Sequence, residues 1–340
     1  MFPTLLMLSA SLAAPSPADA ERLAGACSSG DAAACGELGA RHAGGLGVVQ
    51  DLEKAAALTR QGCDGGHIES CTHLGVFTLA GQGVNRDEAS AARILGAACE
   101  RGSLRACHFL GVQHLLGLGL PTNPEKAWTL MRPACEGGFT EACGYLGGML
   151  EKGFGVPKDL TQAAKMRDRA CTGGDLYSCT QLGMLLQDDN GPGKDLVRAG
   201  VLYLKACRGE EAQGCLLLGD LVATGVLADT MGTDPAGIFA RAAEVAGPSC
   251  AAGEIVDCMN QAEALQKAGQ VPEATRAWQA LLPRLEHGCT AGDVRACGFL
   301  EEVHRDGLGR PADPAAADQA RARACALGDA TACERGAPAR

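Results

Sequence analysis

Aromatic side chains are scarce in this 340-residue sequence, where two Trp, three Tyr and seven Phe make up 4% of the chain. Bulk of that kind fills a single thick core, so a chain rich in Ala, Gly and Leu instead must stack many thin helical layers. Positive charge is also short, with 30 Lys and Arg against 40 Asp and Glu. The resulting net charge of −10 repels a phosphate backbone and argues against a nucleic-acid partner. No apolar run reaches the length that spans a bilayer. Several chemical signatures are missing as well. There is no C-x-x-C for a compact metal site and no C-x-x-C-H for covalent haem. The serine β-lactamase set S-x-x-K, S-D-N and K-T-G is absent, and S-A-A-R at Ser90 and S-L-R-A at Ser103 do not replace it. A cluster such as H-x-H-x-D-H is absent too. The expectation is a chain with no cofactor and no catalytic constellation.

Cysteine is the opposite case. Eighteen of them fall into nine pairs, each eight positions apart: Cys27 and Cys35, Cys63 and Cys71, Cys99 and Cys107, Cys135 and Cys143, Cys171 and Cys179, Cys207 and Cys215, Cys250 and Cys258, Cys289 and Cys297, Cys325 and Cys333. Successive pairs begin 36, 36, 36, 36, 36, 43, 39 and 36 residues apart. A period near 36 belongs to helical repeats in which each unit is a two-helix hairpin stacked on its neighbours. An even count of thiols in one chain points to disulfides and an oxidising compartment. Residues 1–20 fit that setting as a signal peptide. Leu5 to Ala14 form a short apolar core and Ala18-Asp19-Ala20 an A-x-A cleavage site, although no Lys or Arg precedes them.

Other positions keep the same period. Three residues after the second Cys of a pair stand Leu and Gly, from Leu38-Gly39 through Leu218-Gly219. A glycine inside a helix costs roughly 1 kcal/mol against Ala, so its recurrence implies a neighbouring helix too close for a side chain. A glycine turn follows, as in GQGV at 81–84 and GFGV at 153–156, suited to a left-handed helix cap. Asn123-Pro124, Asp234-Pro235 and Asp313-Pro314 then mark the start of a second helix, as do Asp51, Asp159 and Asp195. On that helix Ala recurs eight positions before the first Cys. Leu58, Ile94, Leu130, Met166 and Leu202 recur five before it, and together these form one apolar face. Eight hairpins result. The reading is a single solenoid over 21–335, with an irregular segment at about 208–288 and a tail at 336–340.

Two disulfide connectivities fit this arrangement. Pairing within each joint links Cys63 to Cys71, whereas pairing across a hairpin links Cys35 to Cys63. The eight-residue spacing never varies even where hairpin length does, and joint pairing alone uses all eighteen cysteines. Joint pairing is therefore expected, each bond closing a small loop worth roughly 2–3 kcal/mol in the chain-entropy model.

These residues resemble the Sel-1-like repeats, relatives of the tetratricopeptide repeats that share the Leu-Gly, the G-x-G-V turn and the helix alanines. Units such as DLEKAAALTRQGCDGGHIESCTHLG are similar to the Helicobacter cysteine-rich protein family. The likeness covers about residues 22–335 and is poorest over 225–290. It implies an all-α fold, an α/α superhelical solenoid of about eight tetratricopeptide-like two-helix repeats with C-x7-C disulfides. The cysteine-rich family is a secreted subset, and the repeat architecture with no catalytic constellation leads to the expectation of an exported, periplasmic or extracellular, non-enzymatic scaffold for a protein or peptide partner. The alternative implied by the cysteine-rich family is binding or weak hydrolysis of β-lactam or peptidoglycan-like small molecules.

Three of the seven histidines, His42, His114 and His304, share a register on the apolar stripe and are expected to be partly buried and hydrogen-bonded. His67 and His287 fall at joint turns, where solvation is expected. Two positions past the second Cys, first helices carry Glu37, His73, Phe109, Tyr145 and Gln181. Five past it they carry Val76, Val112 and Met184. Stacked repeats would align these as a ladder, flooring a groove in which Phe109 and Tyr145 anchor an extended peptide. The competing expectation is that the same residues only pack one repeat on the next.

Overall fold

The computed structural model describes residues 16–225 and 234–335. Two compact units divide the chain after Asp175. Among the described residues all regular structure is helical. The first unit contains α1 (Pro17–Ser28), α2 (Ala32–Gly44), α3 (Leu52–Asp64), α4 (Ile68–Ala80), α5 (Glu88–Glu100), α6 (Leu104–Leu116), α7 (Pro124–Glu136), α8 (Thr140–Lys152) and α9 (Leu160–Thr172). The second contains α10 (Leu176–Gln187), α11 (Leu196–Arg208), α12 (Ala212–Ala223), α13 (Pro235–Ala251), α14 (Ile255–Lys267), α15 (Val271–Thr290), α16 (Val294–Asp306), α17 (Pro314–Ala326) and α18 (Ala330–Arg335). Each unit thus holds four hairpins, with α1 beginning the first unit and α18 ending the second. Within the first unit every helix packs on the next, and first helices also touch across repeats, α2 on α4 and α4 on α6.

Local chemistry sets the boundaries. Second helices begin where an Asp or Asn side chain accepts a backbone N–H of the first turn, for example Asp51 from Lys54 and Asn123 from Lys126, both at 2.9 Å. Asp87 does the same for α5, accepting from Ser90. First helices end in a left-handed glycine such as Gly81 and Gly117. Ser16 caps α1, and Ala20 is buried on its first turn. Residues 1–15 of the expected 1–20 leader, and the expected tail at 336–340, lie outside the described residues.

The recurrent Leu-Gly is a contact between the two helices of a hairpin. A Cβ built on Gly75 would stand 2.6 Å from Leu95, and one on Gly147 would stand 2.9 Å from Arg167. The residue over the glycine is therefore four positions before the first Cys: Thr59, Leu95, Met131, Arg167 and Tyr203, all buried. The column five before it, expected to be the large side of this face, is half-buried at Leu58, Ile94, Leu130 and Met166. Arg167 brings a charge to this position and pairs with Glu151 at 2.7 Å, with both side chains largely shielded.

Joints are closed by bonds such as Cys27–Cys35, Cys99–Cys107 and Cys289–Cys297, with Cα atoms 4.5–4.9 Å apart in the eight whose geometry is described. Cys171 and Cys179 are disulfide-bonded too, and no described cysteine is free. Bonds of this kind persist in an oxidising compartment. In the irregular segment, extra residues lengthen second helices: α13 has 17 residues and α15 has 20, against 13 in α3. In the seventh hairpin only residues 268–270 separate α14 from α15. No helix among the described residues is long and apolar enough to cross a membrane.

Candidate functional site

First helices present the residues expected to line the ladder, and the structure separates them. In the first unit His73 and Val76 are half-buried and Tyr145 is 40% exposed. Phe109 and Val112 are buried, at 5% and 2% exposure, so neither lines an accessible groove. Phe109 turns inward instead, into a cluster with Leu95, Ala106 and Leu110. Competition for area explains this. Burying a phenylalanine side chain gains about 2–3 kcal/mol, and nothing polar on Phe109 opposes it, whereas Tyr145 carries a hydroxyl better left in water. In the second unit Gln181 is half-buried and Met184 is 39% exposed.

The centre of the first-unit strip is an aromatic knot around a histidine. His108 is 4% exposed and its ring meets Phe109, Phe139 and Tyr145, with centroids 5.1, 4.9 and 5.3 Å away. In the preceding repeat the position of His108 is Thr72, whose hydroxyl lies 2.9 Å from that of Ser103, the cap of the next first helix. Phe139 takes the place of that serine and makes no side-chain cap bond. The knot thus replaces a polar link between repeats. His108 Nδ1 is buried without a partner. Burial, followed by the nearby Arg105 charge, lowers its pKa to about 4.

Arg105 and His73 lie beside the knot. Arg105 Nη1 donates to His73 Nε2 at 3.1 Å, which requires an unprotonated nitrogen there. Burial first, then the Arg105 and His67 charges, lowers the His73 pKa to about 4. Burial also pulls Arg105 below the usual guanidinium value, against the opposing fields of Glu69 and Glu141. No carboxylate comes within 4 Å of its guanidinium among the described residues, and Nε is buried with no partner. Arg105 was not among the candidates read from sequence. Its signal was present: it lies one helical turn before Phe109 and so on the same face of α6.

Among the remaining histidines, His42 is buried with Nδ1 3.2 Å from the Val49 carbonyl. His114 and His304 are buried in the same register, but their Nδ1 atoms, expected to be hydrogen-bonded, have no partner. Burial lowers the pKa of both His114 and His304. His287 is exposed, whereas His67 is half-buried with Nδ1 2.8 Å from the Ser70 hydroxyl. No three His, Cys, Asp or Glu side chains converge as a metal-ligand group among the described residues.

The buried neutral His108 gives a pH prediction. Its folded pKa lies below the ordinary 6.5, so the unfolded chain takes up the proton first as pH falls. Stability from this group is complete above pH 6.5 and is lost as pH drops from there towards 4. That loss is about 2 kcal/mol between pH 7 and 5. Urea unfolding of His108→Leu beside the parent should show the variant losing about that much less. Equal losses in the two proteins would remove His108 as the cause.

The hairpins, their joints and the strip on the first helices define a disulfide-stapled αα-repeat protein. The Sel1 repeat family matches five consecutive segments, 32–67, 68–103, 104–139, 140–175 and 176–210, more than half of the sequence. The chain belongs to the Sel1 repeat family. Among solved structures it is similar to c5321 of Escherichia coli, described as a protective antigen of uropathogenic strains displaying an SLR fold. The two share 23% identity with a TM-score of 0.62 over 92% of this chain. The chain spans 65% of the length of that protein. A Sel1 repeat protein from Oxalobacter formigenes shares 22% identity with a TM-score of 0.55, covering 62% of this chain and 93% of the other. A search of curated proteins returns no match.

Proposed function

We propose that this protein is an exported, non-enzymatic scaffold that binds a protein or peptide partner along the first helices of its repeats. The observation carrying this reading is the strip of α4, α6 and α8 in the first unit. There Tyr145 stands partly exposed against the His108 knot of α6, and the His73–Arg105 pair links α4 to the same helix. Aromatic and arginine side chains held in place on a stiff surface supply binding energy at low entropic cost. Repetition adds length, since first helices touch across successive repeats. Export fits the disulfides at the joints. The leader at 1–20 is part of this proposal, and an intact mass of the exported chain places its cleavage site.

Peptides selected on the oxidised protein by phage display provide the test. Tyr145→Ala should weaken the selected peptides at least tenfold, and His73→Ala should weaken them measurably. Arg132→Ala, an exposed change on second helix α7, should leave them unchanged. Selected peptides indifferent to Tyr145 and His73 would place binding elsewhere and refute the strip.

A further inference from the structure

The half-buried guanidinium of Arg105 has more donors than the chain satisfies. A guanidinium carries five N–H groups in a fixed fork, and the described bond uses Nη1 on a neutral imidazole, which brings no negative charge. Nε is buried without an acceptor, so a visitor meets the Nη atoms, and among the described residues no carboxylate is within 4 Å. Three arginines of this unit meet a carboxylate, Arg167 with Glu151, Arg41 with Glu37 and Arg132 with Glu136, and exposed Arg101 donates to the Gly66 carbonyl. A partly desolvated cation gains most from an anion that arrives with matching geometry, and a carboxylate matches the fork with two parallel bonds.

The surroundings narrow the anion. Glu69 and Glu141 both act on Arg105 through their charge. They hold the corresponding position, two before the second Cys, on α4 and α8. Their fields offset part of the Arg105 charge, which disfavours a doubly charged phosphate or a polyacidic run more than a single carboxylate. The first helix α4 touches α6, and α6 carries the next repeat, so an extended segment lying across these first helices passes Arg105. Tyr145, edge-on to the ring of His108 three residues after Arg105 on α6, offers a partly exposed aromatic face in the next repeat.

Resting on the docking role proposed above, we infer that Arg105 receives one Asp or Glu side chain of an extended polypeptide whose apolar neighbour packs on Tyr145. The carboxylate completes an ion pair that the chain itself leaves open. Conservative replacement keeps the charge and loses the fork, so Arg105→Lys retains part of the preference and Arg105→Met none.

The experiment uses the whole oxidised protein on an array of decapeptides, acetylated and amidated, with randomised residues around a central Glu. Each has a twin with Gln at that position, and a third set ends in a free carboxylate. Glu peptides should retain the protein at least tenfold more strongly than their Gln twins. That difference should vanish in R105M, persist in part in R105K and be unchanged in R132M, with thermal melting and nonreducing gels confirming each fold. The Glu/Gln comparison on the unaltered chain stands even if R105M fails to fold. Retention without preference for Glu overturns the carboxylate and leaves docking intact. Retention of free-carboxylate peptides alone overturns the side chain in favour of a chain terminus. No retention of any peptide overturns both.

Discussion

Reduction of the disulfides is expected to unfold this protein at 25 °C without any denaturant. The eight bonds of described geometry each join cysteines eight positions apart, and a loop that small stabilises by about 2.5 kcal/mol in the chain-entropy model. Folded domains are stable by only about 5–15 kcal/mol in total, so several such terms together match the whole. The helices give little independent support. Most have 12 or 13 residues, near the length at which isolated helices are marginal, and few aromatic side chains thicken the layers between them. Far-ultraviolet circular dichroism with and without a phosphine reductant measures this. Reduced protein that keeps its helical signal and a cooperative urea transition would show that packing alone suffices.

Location refines the expectation. Repeats touch only their neighbours, so a staple protects the hairpins on either side of it. Cys135–Cys143 joins α7 to α8 inside the first unit and is almost wholly buried, whereas Cys27–Cys35 ties α1 at its start. Replacing both cysteines by Ala at 135 and 143 should cost about 2–3 kcal/mol. The same change at 27 and 35 should mainly release α1, visible as faster amide exchange there with a smaller effect on global unfolding.

Much of the fold could be read directly from the residues, for a physical reason. Joint disulfides, helix caps and glycine turns depend on one residue type at one place, so Cys63, Asn123 or Gly81 announce themselves by identity. The column over the helix glycine is not legible in the sequence because it is defined by contact. Thr59, Leu95, Met131, Arg167 and Tyr203 share no chemistry, only a place above a residue without a side chain. Phe109 and Tyr145 show the same limit at the candidate site. They hold one register, yet Phe109 enters the cluster of Leu95 and Leu110 while Tyr145 stays near solvent. Sequence shows the face; burial depends on what the adjacent repeat offers. Arg105 illustrates the converse. Its position on the face was readable, but the absence of a carboxylate beside it is visible only once the repeats are stacked.

Gly83→Ala should be among the most damaging single substitutions in the first unit, although Gly83 lies in an exposed-looking turn. Two constraints meet there. Its φ is +68°, where an L side chain costs about 1–2 kcal/mol. Its Cβ would also enter the Leu52 carbonyl and stand 2.8 Å from the Glu53 nitrogen, at the start of α3 in the preceding hairpin. That obstacle is backbone and cannot rotate away, so an overpacking cost of about 1–3 kcal/mol adds to the strain. A loss near 3 kcal/mol is expected in urea unfolding, with faster amide exchange in α2 and α3. Gly102→Ala separates the two terms. Its φ is +96° but a Cβ would meet nothing within 4 Å, so only the conformational cost of about 1 kcal/mol remains. If the two variants lose equal stability, the turn does not brace the preceding hairpin and the repeats are held by helix faces and disulfides alone. If Gly83→Ala loses far more, the second glycine of the turn is itself a repeat-to-repeat contact. Gly119 and Gly155, which approach the backbones of α5 and α7 in the same way, would then brace the hairpins before them.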